Sequence, residues 1–238
     1  MAADPQRGSR RSFLARLSGI ASGAVITGCA SGARPGALAS AGGSAQVPSG
    51  DWDLAWIDQL AGASDRAVFD WPAAGDPSDP IVLEIAARYL ENCAAAYRPG
   101  TYQARVVLNA RTRGVPVALN DDAWQRYALG AEYEVKDPGT GAPAERNPFW
   151  RRAAAVPAAA ATPPLPTLEE LVRGGAILLV CDFALGHLAA RLAAKAGQSA
   201  DVVHRELRRA FVPGAFAVPS GIFGLARAQN AGCAYVRM

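Results

Sequence analysis

Cysteine, histidine and charge are all scarce in this 238-residue chain, which has four cysteines, two histidines and 19% charged residues. Two histidines and irregularly spaced cysteines do not make the clustered Cys/His pattern of a zinc site. The chain also lacks a GxGxxG turn, a Walker loop and the ordered serine, histidine and aspartate of a hydrolase. No metal or other cofactor is therefore expected. Long apolar runs are missing too: none reaches the ~20 residues that a bilayer span needs.

What is present begins at the N-terminus. Ser9-Arg10-Arg11-Ser12-Phe13-Leu14 sets paired arginines before Phe-Leu, and a weakly apolar Ala/Gly-rich run follows from Leu17 to Ala30. Ala37-Leu38-Ala39 then offers a small-residue cleavage site, with Pro35 ending the signal helix just upstream. This resembles a twin-arginine translocation signal. It implies that the translocase exports the folded protein, so that the working compartment is the periplasm. A second ending competes: Ile26-Thr27-Gly28-Cys29 resembles a lipobox, in which Cys29 would be acylated and the protein held at a membrane. An uncleaved anchor is the third alternative. The expected organisation is a signal at 1–39, a Gly/Ser/Ala tether at 40–50 and one domain at 51–238, with a turn- and Ala/Pro-rich excursion at about 136–166.

The signal also holds the excess charge. Residues 1–39 contain Arg7, Arg10, Arg11, Arg16 and Arg34 against Asp4, which leaves 19 of the 24 bases and 20 of the 21 acids in the rest. A mature part close to neutrality excludes nucleic acid as an expected partner. Cleavage after Ala39 leaves Cys93, Cys181 and Cys233. One pair plus a free thiol, or three free thiols, are both open.

The mature chain reads as alternating elements. Trp52, Trp56 and Leu60 fall on one stripe of a short helix, a pattern of core packing. Arg66 to Asp70 is expected as a first strand that stops at Trp71-Pro72, and Asp79-Pro80 opens a helix to about Tyr97. Ala104 to Asn109 is expected as a second strand, and a helix capped by Asn120 or Asp121 carries Trp124 and Tyr127. The stretch from Lys136 to Pro166 is expected as an extended surface excursion.

The C-terminal third is patterned most clearly. Thr167 and Glu170 form a capping box, Ala176 to Cys181 is an apolar strand, and Phe183 to Ala196 is a helix closed by Gly197. Ser199 caps a helix to Phe211, Ala215 to Val218 is a strand, a helix runs from Pro219-Ser220-Gly221 to about Asn230, and Cys233 to Val236 closes the chain. Short connections between alternating strands and helices require right-handed crossovers, hence an α/β fold with a mainly parallel sheet and helices on both faces.

Ligands in such sheets gather beyond the carboxyl ends of the strands. That places candidate residues at Asp70, at Asn109 and Arg111, and above all at Cys181, Asp182, Pro219, Ser220 and Gly221. A thiol at a helix N-terminus meets the positive end of the dipole and free amide donors, both of which favour thiolate. Asp182 opposes this unless it turns away as the cap. Cys181 also reads as a small apolar strand end, and Ser220 as a plain helix cap instead of an anion ligand. His187 lies about 240° around the helix from Cys181, and His204 is expected to be solvated.

Three segments carry a family resemblance. They are Val180-Cys181-Asp182-Phe183-Ala184-Leu185, Val212-Pro213-Gly214-Ala215-Phe216-Ala217-Val218-Pro219-Ser220-Gly221 and Ala228-Gln229-Asn230-Ala231-Gly232-Cys233-Ala234-Tyr235-Val236. In order and spacing they resemble the cysteine strand, the PG…VPSG turn and the closing Q-x-x-G-x-x-Y strand of the DsrE/DsrF-like family. The likeness covers about residues 174–238, with a thinner match to exported members over Arg66–Asp70 and Ala104–Tyr127. It implies a flavodoxin-like three-layer α/β/α domain of about five strands, self-association into a trimer or hexamer, and a persulfide carried on Cys181. Exported relatives place a histidine after the arginine that follows the second strand. Here the residues are Arg111-Thr112-Arg113, so no histidine-dependent role carries over.

Two readings compete with sulfur handling. One is a noncatalytic periplasmic module that binds a small ligand in the same cleft, with the tryptophans and the Ala/Pro excursion as a partner surface. The other is a cofactor-free enzyme using Asp70, Arg111 and Arg113 on an anionic substrate. Burial of Cys181 favours the first, and arginines converging on an acid favour the second.

Overall fold

A computed structural model describes residues 52–98, 100–151 and 165–238. The twin-arginine signal, Cys29, the Ala39 cleavage site, the tether and the Ala/Pro run at 152–164 lie outside the described residues.

Five strands form one sheet: β1 Asp65–Ala73, β2 Ala104–Arg113, β3 Ile177–Cys181, β4 Ala215–Val218 and β5 Ala234–Val236. Their order is β4-β3-β2-β1-β5, and every pairing is parallel. The helices are α1 Ala55–Asp58, α2 Ile81–Ala96, α3 Asp121–Arg126, α4 Leu129–Tyr133, α5 Leu168–Arg173, α6 Asp182–Ala196, α7 Ala200–Arg209 and α8 Gly221–Asn230, with a 3₁₀ turn at Val115–Ala118. The protein is a three-layer α/β/α sandwich, flavodoxin-like in its layers.

The handedness of crossovers explains the layers. The chain steps β1 to β2 to β3 to β4 in one direction, and three right-handed crossovers in one direction put their helices on one face. That face buries Phe69, Leu108, Leu178 and Val180 of the sheet against Leu83 of α2, Trp124 of α3, Leu171 of α5, Leu188 of α6 and Leu207 of α7. The return from β4 to β5 steps the other way and lays α8 on the opposite face. There Val68, Val107, Ile177 and Leu179 pack with Trp56, Leu60 and Ala228. Both faces are covered, so the central strands are apolar throughout and not alternating.

Local chemistry sets the boundaries. Thr167 and Glu170 form the expected capping box, Asn120 caps α3 by accepting from the Ala123 amide at 3.0 Å, and Gly197 closes α6 in the left-handed region at φ 62. Three boundaries differ from expectation. β1 continues through Trp71 and Pro72 to Ala73, because proline still accepts through its carbonyl at a strand end. β2 runs four residues past Asn109. It does so through a bulge: Trp71 pairs with Ala110 but Ala73 with Arg113, so β2 holds one extra residue. The expected surface excursion is partly interior, since Asn147, Phe149 and Trp150 are buried and the Asn147 amide donates to the carbonyls of Val117 and Leu119 at 2.8 and 2.7 Å.

Four of the five tryptophans are core; Trp52 precedes the short α1, off the expected helical stripe, and is half-buried with the Arg208 guanidinium over its ring at 5.1 Å. Trp56, Trp71 and Trp124 are almost fully buried, Trp150 retains 8% exposure, and Phe149 meets Trp71 edge-on at 6.0 Å. Cys93, Cys181 and Cys233 are all free thiols.

Candidate functional site

The crossover pattern selects one place on the sheet. The connection leaving β3 goes to one face and the connection leaving β4 to the other, so the switch point of the sheet, where such folds form a crevice, falls between the carboxyl ends of these neighbouring strands. Cys181 ends β3, and Pro219-Ser220-Gly221 follows β4. The amide of Phe183 donates to the Pro219 carbonyl at 3.3 Å, which ties the two strand ends together.

Cys181 is the N-cap of the 15-residue α6, and its Sγ accepts from the Ala184 amide at 3.3 Å. The residue keeps 5% exposure. Asp182 is therefore not the cap. Its carboxylate turns aside to His204 Nε2 at 3.0 Å and Arg208 Nε at 3.5 Å. His204 is thus half-buried and engaged, not solvated, because α7 folds back along α6 and brings it over the start of that helix. His187 plays no part: its ring packs edge-on against Phe183 at 4.7 Å.

Arg111 is positioned by the bulge in β2. Thr112 takes φ 48, and its hydroxyl donates to the Pro72 carbonyl at 2.5 Å. The flanking arginines diverge as a result. Arg111 forms a two-pronged pair with Asp70, Nε to Oδ1 and the terminal nitrogen to Oδ2, both at 2.6 Å. Asp70 is 2% exposed and also accepts from the Tyr235 hydroxyl at 3.2 Å. Arg113 instead stacks over the Tyr133 ring at 5.3 Å. The arginines do not converge, so the enzyme that needed both of them on one anion loses its geometry. The Arg111 guanidinium is held further above its ordinary pKa, first by the hydrogen bonds it donates to Asp70, with burial opposing and the charge of that carboxylate adding to the rise.

The start of α8 closes the site from the other face. Ser220 caps that helix by accepting from the Phe223 amide at 3.2 Å, which is its cap role and not an anion contact. Asn109 is fully buried, and its Nδ2 donates to the Gly221 carbonyl at 3.2 Å. Glycine is required at two positions by close approach. A Cβ at Gly221 would stand 2.6 Å from Arg111 Cβ, and one at Gly224 would stand 2.8 Å from Asn109 Oδ1. Phe183 and Ile222, one at the head of each helix, remain 67% and 76% exposed and give the crevice an apolar rim.

The structure thus brings Asp70, Asn109, Arg111, Cys181, Pro219, Ser220 and Gly221 to one end of the sheet and directs Asp182 away from it. Residue-by-residue inspection of the sequence misses Tyr235 as a site residue; its place in the closing motif is the signal that points to it. It also misses the bulge, which no local pattern marks. Among the described residues no cluster of three or more metal-ligating side chains occurs, and no helix there is long and apolar enough to cross a membrane.

No protein-family model and no curated protein matches the chain. A structure solved for a protein of unknown function from Methanobacterium thermoautotrophicum is similar over 74% of this chain and 100% of its own, at 18% identity and a TM-score of 0.36. A likeness that distant carries no argument about function.

Proposed function

We propose that the protein is an exported, DsrE-like sulfur-handling protein of the periplasm that carries sulfane sulfur on Cys181. The observation behind this reading is the setting of Sγ. It caps a long helix and accepts a backbone N–H, while the neighbouring Asp182 carboxylate is drawn off by His204 and Arg208. A helix N-terminus, with its free amides and dipole, suits a bound sulfur anion.

The step is a displacement. The Cys181 thiolate attacks the outer sulfur of a small persulfide RS–SH. A Cys181 S–S bond forms as the R–S to sulfur bond breaks, and RS⁻ departs with the electron pair and takes up a proton. An acceptor thiolate then removes the outer sulfur by the same displacement. The 5% exposure of Cys181 restricts the donor to small species. Self-association into a trimer or hexamer belongs to the same proposal.

One observation favours a second reading, a noncatalytic module that binds a small ligand. Cys181 is buried, and the charge of Arg111 is already met by Asp70. One experiment separates the two. The protein is treated with polysulfide, alkylated at neutral pH and analysed by mass spectrometry. Sulfur handling requires Cys181 to gain one sulfur atom that a reductant removes, ahead of Cys93 and Cys233. If Cys181 reacts only after unfolding, the binding module is the correct reading.

A further inference from the structure

A cleft of about 510 Å³ that shares no lining residue with the Cys181 site is formed by Arg113, Tyr127, Ala128, Ala131, Glu132, Glu134 and Lys195. Its volume falls within the ~300–1,000 Å³ of small-molecule sites. The backbone around it is unusual. The described residues include three non-glycine positions with positive φ: Thr112 at 48, Ala128 at 47 and Glu134 at 58. Ala128 and Glu134 line the cleft, and Thr112 precedes Arg113, which also lines it.

Ala128 and Glu134 stand where the chain leaves α3 and α4, in the left-handed conformation that glycine adopts there at least cost. Each keeps a side chain, and both face the same space. The segment between them is held hard: Gly130 lies so close to Ala144 that an added Cβ would stand 2.2 Å from its carbonyl oxygen. Side chains retained against backbone cost, on an over-determined segment, are a mark of ligand sites.

The charges specify the ligand. Glu132 is occupied by Lys195 and, at 3.1 Å, by Arg191. Of the lining groups this leaves one guanidinium, on Arg113, with no carboxylate partner among the described residues. It also leaves one carboxylate, on Glu134, with no cation paired to it among the described residues. Arg113 lies over the Tyr133 ring, which presents its donors in a fixed plane. The methyls of Ala128 and Ala131 and the Tyr127 side chain supply the apolar part of the wall. From this we infer that the cleft binds a small zwitterion of the neutral amino-acid class, with its carboxylate on Arg113, its ammonium on Glu134 and its aliphatic side chain against Ala128 and Ala131.

The test is a titration of the full-length chain with L-leucine, followed by calorimetry and by amide chemical shifts, up to about ten millimolar so that any millimolar Kd is visible. Binding is expected to move the amides of Ala128, Ala131 and Glu134. Leucinamide and N-acetyl-leucine, each lacking one charge, should bind about tenfold more weakly, as should Arg113→Gln and Glu134→Gln. Glu134→Gly separates binding from structure. It relieves the backbone and should melt no lower than wild type while losing about tenfold in affinity. Sulfur loading at Cys181, read in parallel on these variants, should not change, so failure of one site is distinguishable from failure of the other. The inference is overturned if L-leucine shifts nothing, if the two one-charge analogues bind as well as L-leucine, or if the shifts gather around Cys181 instead.

Discussion

Replacing Asp70 by asparagine tests whether the pair that fixes Arg111 at the carboxyl end of the sheet is a structural necessity. Asp70 is buried at the end of β1 and accepts three hydrogen bonds, two from Arg111 and one from Tyr235. Breaking a buried pair by removing one charge typically costs about 3–5 kcal/mol, mostly because the remaining charge is left without a partner. The Arg111 side chain keeps 29% exposure while that of Asp70 keeps 3%. Water can therefore take up part of the orphaned guanidinium, and Asp70→Asn should cost about 2–3 kcal/mol. The reverse change, Arg111→Met, strands the deeper charge and should cost more. For a domain of this size each kcal/mol corresponds to about 2–4 °C, so Asp70→Asn should lower Tm by about 4–12 °C. The assay is thermal and urea unfolding of wild type, the two single variants and the double variant. The double should be more stable than the sum of the singles by about 2 kcal/mol, the signature of two groups that need each other. Asp70→Asn within about 0.5 kcal/mol of wild type, or plain additivity of the two changes, would refute the reasoning.

Two further outcomes follow from close packing and from burial. Gly114→Ala places a Cβ 2.1 Å from the Trp71 carbonyl oxygen, a backbone atom that cannot give way. It should destabilise by at least ~3 kcal/mol, above the usual range for overpacking, and a yield and melting curve equal to wild type would sink the claim. Cys233 has its thiol pKa pushed up from 9.0 to about 11 by burial, with Arg66 pulling partly back. A raised pKa gives stability that is whole below the ordinary value and is lost as pH rises through the folded one, so unfolding free energy should fall between pH 9 and about 11. Cys233→Ala should flatten that fall, leaving a residual slope from the tyrosines whose pKa burial raises: Tyr89 and Tyr127, each pushed to about 12, with Tyr102, Tyr133 and Tyr235. An identical pH slope in the two proteins, measured by urea unfolding, would show that Cys233 does not contribute.

Much of the fold is written in local chemistry. The capping box at Thr167 and Glu170, the apolar run of β3, Gly197 and the cap at Ser220 are short-range signals, and each appears where it is expected. Effects that need two distant segments are not written there. The bulge in β2 is visible only once Trp71 and Ala73 are laid against Ala110 and Arg113. Burial of Phe149 and Trp150 likewise depends on a space between the sheet and α3 that no sequence window contains. His204 reads as part of a polar face because its partner, Asp182, belongs to the preceding helix. The candidate site shows the same division. Cys181, Ser220 and Gly221 follow from the rule about strand ends, whereas the Arg111 and Asp70 pair, with Tyr235 on it, joins β2, β1 and β5.

The sheet order explains why the thiol sits where it does. With strands in the order β4-β3-β2-β1-β5, the chain reverses its direction of travel only after β4, so the switch point between opposed helix N-termini falls between β3 and β4. A residue ending β3 is then bounded by α6 on one face and α8 on the other, with the end of β2 beside it. That arrangement gives Cys181 a helix-end amide, brings Gly221 close enough to pack on Arg111, and leaves the heads of both helices free to carry the exposed Phe183 and Ile222. A cysteine at the end of β5 would have neither crevice nor opposed helix. Cys233, just before β5, lies at the opposite, amino-terminal end of the sheet and has neither: it is buried, with a raised pKa and no helix cap role. The contrast between two buried cysteines of one chain makes Cys233 the internal control for Cys181, because topology alone predicts that polysulfide loads one and spares the other.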